Sequence, residues 1–449
     1  MKKILFFLYK LKTLLLAHCY CVYPSRGTYQ KLYEYKNVFG NASYTKIRRK
    51  IFSRAQKEIR QKKRKTLRIV MVDCSEWCTT DIYNYFCPRN FDITVVIAPF
   101  FHGTDDSIKK SYSLCVNFCQ SKNLQYIDAY NPDDWTLKTE NSADLYGDVM
   151  LYTNPWMGSY PKELKTGSLP LSILTCYIPY GFMLMKADQH QFNQPSHNMF
   201  TCIFCESEVH RQMFKEHCDI GNSHVAFSGH PKMDCYIQNS NVDSMTIWKG
   251  LESHPDMIKI IYSPHWNFDG GYATFMESGM QVLKYAESHP DTTSWIYKPH
   301  PLLEKELITK GFMTAIEYQK YVDRWQSLPN ARMYMLGDYT DIFFSSDCII
   351  NDSISFIAEY MYTHKPMLLL TSGQAQFNSF GQTCIQHVYT CKASEFDHIN
   401  QFIEDVAHNI DIKKTEREKF FEDNLNYYHI NKTLAGSYIS TRIANMINI

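Results

Sequence analysis

Three apolar runs in the second half of the chain end in groups able to bind phosphate or move protons. Ile261-Tyr262-Ser263 leads into Pro264-His265-Trp266-Asn267, and Trp295-Ile296-Tyr297 leads into Lys298-Pro299-His300-Pro301. Cys348-Ile349-Ile350 leads into Asn351-Asp352-Ser353-Ile354-Ser355, with Glu359 in the helical stretch beyond. Asp352 is a favourable N-cap for a helix running through Phe356 to Tyr362. The outward first-turn amides of that helix, with the Ser353 and Ser355 hydroxyls, suit a phosphate or diphosphate. Capping alone accounts for Asp352 and Ser353 equally well. An imidazole such as that of His300, aimed by prolines on both sides, can serve as general acid or base, or when protonated can stabilise a leaving phosphate. The plainer alternative is a turn histidine packed on the next loop. Lys298 adds a point charge for phosphate. His230, in Gly229-His230-Pro231-Lys232, stands where the first half of the chain ends and either closes a cleft or forms a turn.

Positioning such groups takes buried parallel strands, which read as continuous β-branched runs. Leu67–Asp73 and Asp92–Pro99 are runs of this kind, followed by candidates at Asp148–Thr153, Leu174–Ile178, Phe200–Cys205 and His224–Ser228. After a polar stretch near Gln238–Ser253, a second series is expected at Met257–Ser263, Thr293–Lys298, Ala331–Leu336, Cys348–Asn351 and Pro366–Thr371. Helix-like segments separate most of them. The order predicts an α/β protein of two Rossmann-like, doubly wound domains at 66–240 and 250–415, facing a cleft, with C-terminal helices over 416–449. In such sheets ligands bind beyond the carboxyl ends of the strands. Three neighbouring strands would then bring Lys298, His300, Asp352 and Ser355 around one crevice.

A chain of 449 residues, 45% of them hydrophobic, can bury two sizeable cores. The net charge of +1 hides an asymmetry. Between Lys46 and Lys65 there are eleven Lys/Arg and one acid, Glu58; the rest of the chain is mildly acidic. Residues 1–65 therefore read as a basic helical arm. Its Lys46-Ile47-Arg48-Arg49-Lys50-Ile51-Phe52 segment predicts contact with an anionic membrane surface, with a solvated helix or a nucleic-acid contact as the alternatives. No uninterrupted apolar stretch approaches the roughly 20 residues of a spanning helix, and Lys10 and Lys12 break the first apolar run, so neither a spanning helix nor a signal peptide is expected. Fifteen cysteines, an odd number spread along a long chain, predict reduced buried thiols.

Read together, Ser346 to Glu359 followed by Lys365-Pro366-Met367, Gly229-His230-Pro231-Lys232-Met233-Asp234, Tyr262-Ser263-Pro264-His265-Trp266 and Lys298-Pro299-His300-Pro301 resemble motifs of the CDP-glycerol glycerophosphotransferase family, which primes or polymerises teichoic-acid-like polymers. The resemblance spans about residues 67–445. It implies a glycosyltransferase-B-like fold, a CDP-linked donor in the second domain, and metal-independent attack of an acceptor hydroxyl on the donor's β-phosphate with CMP leaving. It further implies that His300 assists the reacting phosphate, that Asp352, Ser353 and Ser355 form the donor pocket with Lys298 and His265 beside them, and that Glu359 reaches the ribose. Where the family carries a His-Gly-Thr-Pro motif, this chain has Pro179-Tyr180-Gly181-Phe182, which puts Tyr180 in place of the expected base. His102-Gly103-Thr104 lies too early to replace it.

Cys202-x-x-Cys205, followed by His210, His217 and Cys218, invites a zinc site but lies on an expected buried strand as a single pair. No Asp-x-Asp pair, Walker loop or Gly-x-Ser-x-Gly is present. The expectation is therefore an enzyme without metal or cofactor, at the inner face of the membrane, using a nucleotide-linked donor and a lipid-linked or polymeric acceptor, and no nucleic acid. A sugar-nucleotide glycosyltransferase of the same fold, and a silent nucleotide-binding subunit, are the alternatives.

Overall fold

The computed structural model describes residues 2–89, 91–238, 244–334 and 339–447. It divides into two compact units. The first comprises residues 1–181, 187–234 and 427–449, and the second residues 182–186 and 235–426. The expected domain limit at 240 lies outside the described residues. Both the N-terminal 65 residues and the last helix belong to the first unit rather than standing apart from it.

In the first unit the strands are β1 Lys65–Met71, β2 Phe91–Ile97, β3 Tyr126–Asp128, β4 Val149–Tyr152, β5 Leu174–Tyr177, β6 Cys202–Cys205 and β7 Val225–Phe227. They form one parallel sheet in the order β3-β2-β1-β4-β5-β6-β7. Every residue of β4, β5 and β6 is buried, as helices on both faces require. In the second unit, β8 Ile258–Ser263, β9 Thr293–Tyr297, β10 Ala331–Met333, β11 Cys348–Asn351, β12 Met367–Thr371 and β13 Tyr389–Lys392 pair in parallel, in the order β10-β9-β8-β11-β12-β13. The strand order turns back on itself between β1 and β4 and again between β8 and β11. Those two crossovers are where such sheets open a crevice at their carboxyl ends. β3 and β13 were not expected from the sequence, and β10 is shorter than expected: it ends at Met333, and residues 335–338 lie outside the described residues.

The basic N-terminal segment is not a free arm. Helix α1 (Lys2–Val22) is followed by α2 (Tyr29–Arg60), which bends at Gly40, whose φ of 81° no ordinary helical residue adopts. The apolar side chains expected to enter a bilayer, Ile47, Ile51 and Phe52, are buried in the first unit with Ala55 and Ile59. Tyr29 and Tyr44 donate their hydroxyls to the carbonyls of Ile173 (2.6 Å) and Asn198 (2.8 Å), and the Arg48 guanidinium donates to that of Phe200. The periodicity found the apolar face of α2 correctly, but protein covers that face. The exposed apolar surface lies instead on α1, where Ile4, Leu5, Phe6, Phe7 and Leu8 are each more than half exposed. Against expectation, Ile4–Val22 is long and apolar enough to cross a membrane, despite its two lysines.

The Gly229–Asp234 motif has a structural account. Asp234, buried, accepts hydrogen bonds from the Tyr427 hydroxyl and from the amides of Ala435 and Gly436 (2.8 Å each), which open the last helix, Ala435–Ile447. Gly229 has φ of 78°, and a Cβ there would lie 2.1 Å from the Tyr427 ring. The motif is thus the clasp that holds the C-terminal segment to the first unit. All fifteen cysteines are free thiols, most of them buried.

Candidate active site

At the β8/β11 crossover, the structure brings most of the sequence-selected residues together. Asp352 follows β11, but it does not cap the next helix, Ile354–Met361. The N-cap position belongs to Ser353, and its side chain makes no capping bond. The Asp352 carboxylate turns instead toward the loop after β8. One oxygen accepts from the His265 amide, and the other accepts from the Thr274 amide (2.6 Å) and hydroxyl (2.8 Å). Burial pushes this carboxyl up to about 6, with those hydrogen bonds pulling the other way. Asp352 is therefore a brace across the crossover rather than a phosphate ligand, since a second anion beside it would be repelled. Its turn away leaves the helix N-terminus without a side-chain cap, and neither the Ser353 nor the Ser355 hydroxyl is bonded to another group among the described residues. Uncapped amides with two hydroxyls beside them favour an anion.

Next along the brace is His265, whose ring centroid lies 5.2 Å from that of His300 in an edge-on arrangement, with Trp266 5.9 Å from His300. The two histidines share one device: each ring Nδ1 accepts the backbone amide two residues on, from Asn267 (3.2 Å) and Leu302 (3.1 Å). That fixes the neutral tautomer with its proton on Nε2. Burial holds His265 down at about 4. Burial, then His265 and Lys298, holds His300 at about 3. Lys298 is buried, with Nζ 5.1 Å from the Tyr339 ring centroid and 5.5 Å from that of Phe356, in the first turn of the helix. Glu359 is 2% exposed and accepts the Tyr339 hydroxyl. Through that hydrogen bond the buried Glu359 carboxylate braces Tyr339. Lys365, in the same signature, donates to the carbonyls of Phe343, Phe344 and Ser346, and so closes the end of the helix Thr340–Ser345.

The first unit holds the remaining candidates. His230 uses the same device, its Nδ1 accepting from the Lys232 amide (3.2 Å), and its Nε2 donates to the Pro179 carbonyl (2.9 Å). With both nitrogens engaged and burial holding it at about 3, it is a neutral structural group. Tyr180 follows β5; burial and the neighbouring Glu76 push its phenol up to about 12, so it keeps its proton. His102-Gly103-Thr104 is a helix entrance: Thr104 accepts from the Ser107 amide (3.3 Å) and caps Asp105–Ser121. Glu76, which no sequence feature marked, lies after β1 and accepts from Asn154 Nδ2 (2.9 Å) and Thr153 Oγ1 (3.4 Å), both just after β4.

Two parallel sheets of this strand order define a two-unit α/β fold of the glycosyltransferase-B kind. A structure of the wall teichoic acid polymerase TagF is 14% identical, covers 89% of this chain and 93% of that one, and superposes with a TM-score of 0.52. A TagF variant soaked with CDPG is 13% identical, with the same coverage and a TM-score of 0.51. A structure described as a UDP-N-acetylglucosamine 2-epimerase from Listeria monocytogenes is 12% identical, covers 86% of this chain and 97% of that one, and gives 0.51. At such identities the fold is what is shared. No curated protein sequence matches the chain. The CDP-glycerol:poly(glycerophosphate) glycerophosphotransferase family model matches residues 180–435, more than half of the sequence, and the chain belongs to that family of transferases.

Proposed function

We propose that the chain transfers glycerol phosphate, or a related alditol phosphate, from a CDP-linked donor to a hydroxyl of a lipid-linked or polymeric acceptor in the synthesis of a cell-surface polymer or capsule. The observation that carries this reading is the uncapped N-terminus of Ile354–Met361 at the β8/β11 crossover, beside Ser353, Ser355 and Lys298. A donor diphosphate placed there meets helix amides, two hydroxyls and an ammonium, with the Nε2–H of His300 directed at the phosphoryl group in transfer. The reading assigns the diphosphate charge to these groups and invokes no cofactor. Asp352 and His265 hold the pocket's shape.

Differential scanning of the purified protein with CDP-glycerol, CDP, CMP, UDP and UDP-N-acetylglucosamine tests the donor. Cytidine nucleotides are expected to raise the melting temperature selectively, because a ligand at a hundred times its Kd stabilises the folded state by about 2.7 kcal/mol. Selective stabilisation by the uridine nucleotides would make the chain a sugar-nucleotide transferase instead. CDP-glycerol binding without CMP release would make it a silent subunit.

We further assign attachment to the inner membrane face to α1, whose exposed phenylalanines and leucines match a bilayer interior and whose lysines match anionic headgroups. Replacing Phe6 and Phe7 with aspartate is expected to weaken co-sedimentation with phosphatidylglycerol vesicles by about tenfold or more per residue. Unchanged binding would remove α1 from the reading.

A further inference from the structure

We propose that a basic pocket of the first unit, between α2, the last helix and the amino ends of β6 and β7, binds the phosphate group of a phosphate ester. The pocket measures about 290 Å³. Arg48 and Arg49 line it from α2 and Arg442 from Ala435–Ile447, with His224 on the strand side. No aspartate or glutamate among the described residues lines it. Thr201 and Ser223, also in its wall, stand just before β6 and β7, so it lies at the opposite end of the sheet from the β1/β4 crevice. All of it belongs to one unit, and it is independent of the transfer reading.

These arginines carry charge that the protein leaves unpaired. The ion-paired guanidinium groups belong to Arg54, Arg68, Arg211, Arg324 and Arg417, and none of the three in the pocket meets a carboxylate among the described residues. Arg49 and Arg442 are exposed, where water can serve them. Arg48 is only 6% exposed. Its Nη2 donates to the Phe200 carbonyl, its guanidinium lies 4.7 Å from the Phe52 ring centroid, and its Nε has no hydrogen-bond partner. A cation with five N–H donors and one protein acceptor is out of balance when buried. The groups beside it bring no negative charge. Burial pushes the Cys202 thiol up to about 11, against the pull of Arg442 and then Arg48, so the thiol keeps its proton. Burial likewise raises Tyr29 and Tyr44. Burial and Arg48 hold His224 down at about 3, and its Nε2 donates to the His197 carbonyl (2.9 Å).

A phosphate ester supplies the missing acceptors. Its unesterified oxygens can take guanidinium forks from two helices at once, a geometry that a planar cation matches better than a lysine does. Neutral donors complete the rim: Ser53 and Gln56 follow Arg49 by one and two turns of α2, and Ser223 faces them from the strand side. The same phosphate chemistry is carried by a soluble polyol phosphate and by a phospholipid headgroup, and the two sources separate by experiment.

Isothermal titration of the full chain tests this, with sn-glycerol 3-phosphate as the soluble ester and dihexanoyl phosphatidylglycerol, kept below its micelle concentration, as the lipid. Saturable binding of at least one is expected, with new hydrogen-exchange protection across residues 45–56. R49Q/R442Q, altered at two exposed positions, is expected to weaken binding by about tenfold or more, because hydrogen bonds to a charged group are lost. The protection across 45–56 should go with it. Should that variant fail to fold, S53E, which sets a carboxylate beside the arginines from an exposed position of α2, replaces it: lost binding supports the assignment, and retained binding overturns it. Preference for the soluble ester or for the lipid supports the pocket and names the source, and equal affinity supports recognition of the phosphate alone. No saturable binding of either ester overturns the proposal. So does a loss of less than about threefold in R49Q/R442Q, or protection confined to the second unit, which would place the ligand elsewhere.

Discussion

Replacing His300 by alanine is expected to slow transfer by about 10²–10³-fold, the usual effect of losing one pre-aimed hydrogen-bond donor at a reacting oxyanion, while CDP-glycerol binding changes little. The expectation follows from the tautomer. Leu302's amide occupies Nδ1, so the neutral ring presents Nε2–H. With the ring held at about 3 by burial, His265 and Lys298, it stays neutral across the pH range in which the enzyme would be assayed. A neutral donor that titrates so low acts by hydrogen bonding and not by shuttling a proton. H300Q, which returns an N–H of comparable reach, should therefore recover at least about tenfold of the loss. Equal defects in H300A and H300Q, measured as single-turnover CMP release, would show instead that the imidazole transfers a proton.

Asp234→Ala is expected to be the most damaging substitution for stability, by about 3–5 kcal/mol. It strands the first two amides of the helix Ala435–Ile447 and the Tyr427 hydroxyl, which share one buried carboxylate. Urea denaturation would give the size of the loss, and hydrogen exchange would locate it: protection should fall first across Ala435–Ile447, ahead of β8 to β13. A Gly229→Val chain should fail at the same place, since its φ of 78° and the Tyr427 ring leave no room for a side chain. Loss of protection spread evenly over both units would mean that Asp234 is not the anchor described.

The strands that the sequence revealed are those whose apolar runs are continuous, such as Leu67–Val72 and Ile258–Tyr262. The two it concealed are edge strands. Tyr126–Asp128 and Tyr389–Lys392 are three and four residues long and mostly part-exposed, and one open side removes the need for an apolar run. In α2, the spacing of Ile47, Ile51 and Phe52 identified an apolar face but could not say whether lipid or protein covers it. At the site, Lys298, His300, Ser353 and Ser355 were legible because each stands at a strand end, where the parallel topology places ligands. The role of Asp352 was not, because an N-cap and a brace look alike in sequence, and its partners His265 and Thr274 are 87 and 78 residues away. Glu76 was hidden for the same reason, its partners Thr153 and Asn154 lying 77 and 78 residues on. One local signal could have been read: a histidine followed by one residue and then a free amide occurs at His230, His265 and His300, and in all three it fixes the tautomer.

The clasp at Asp234 also bears on how the protein is made. A ribosome delivers β1 through β7 early, yet the helix that completes this unit emerges only after residues 235–426 have been synthesised. Until then the nascent first unit exposes the apolar side chains that Ile439, Ile443 and Ile447 will cover, a surface for chaperones to hold. Translation that stops after Asn426 would yield a finished second unit joined to an unfinished first one.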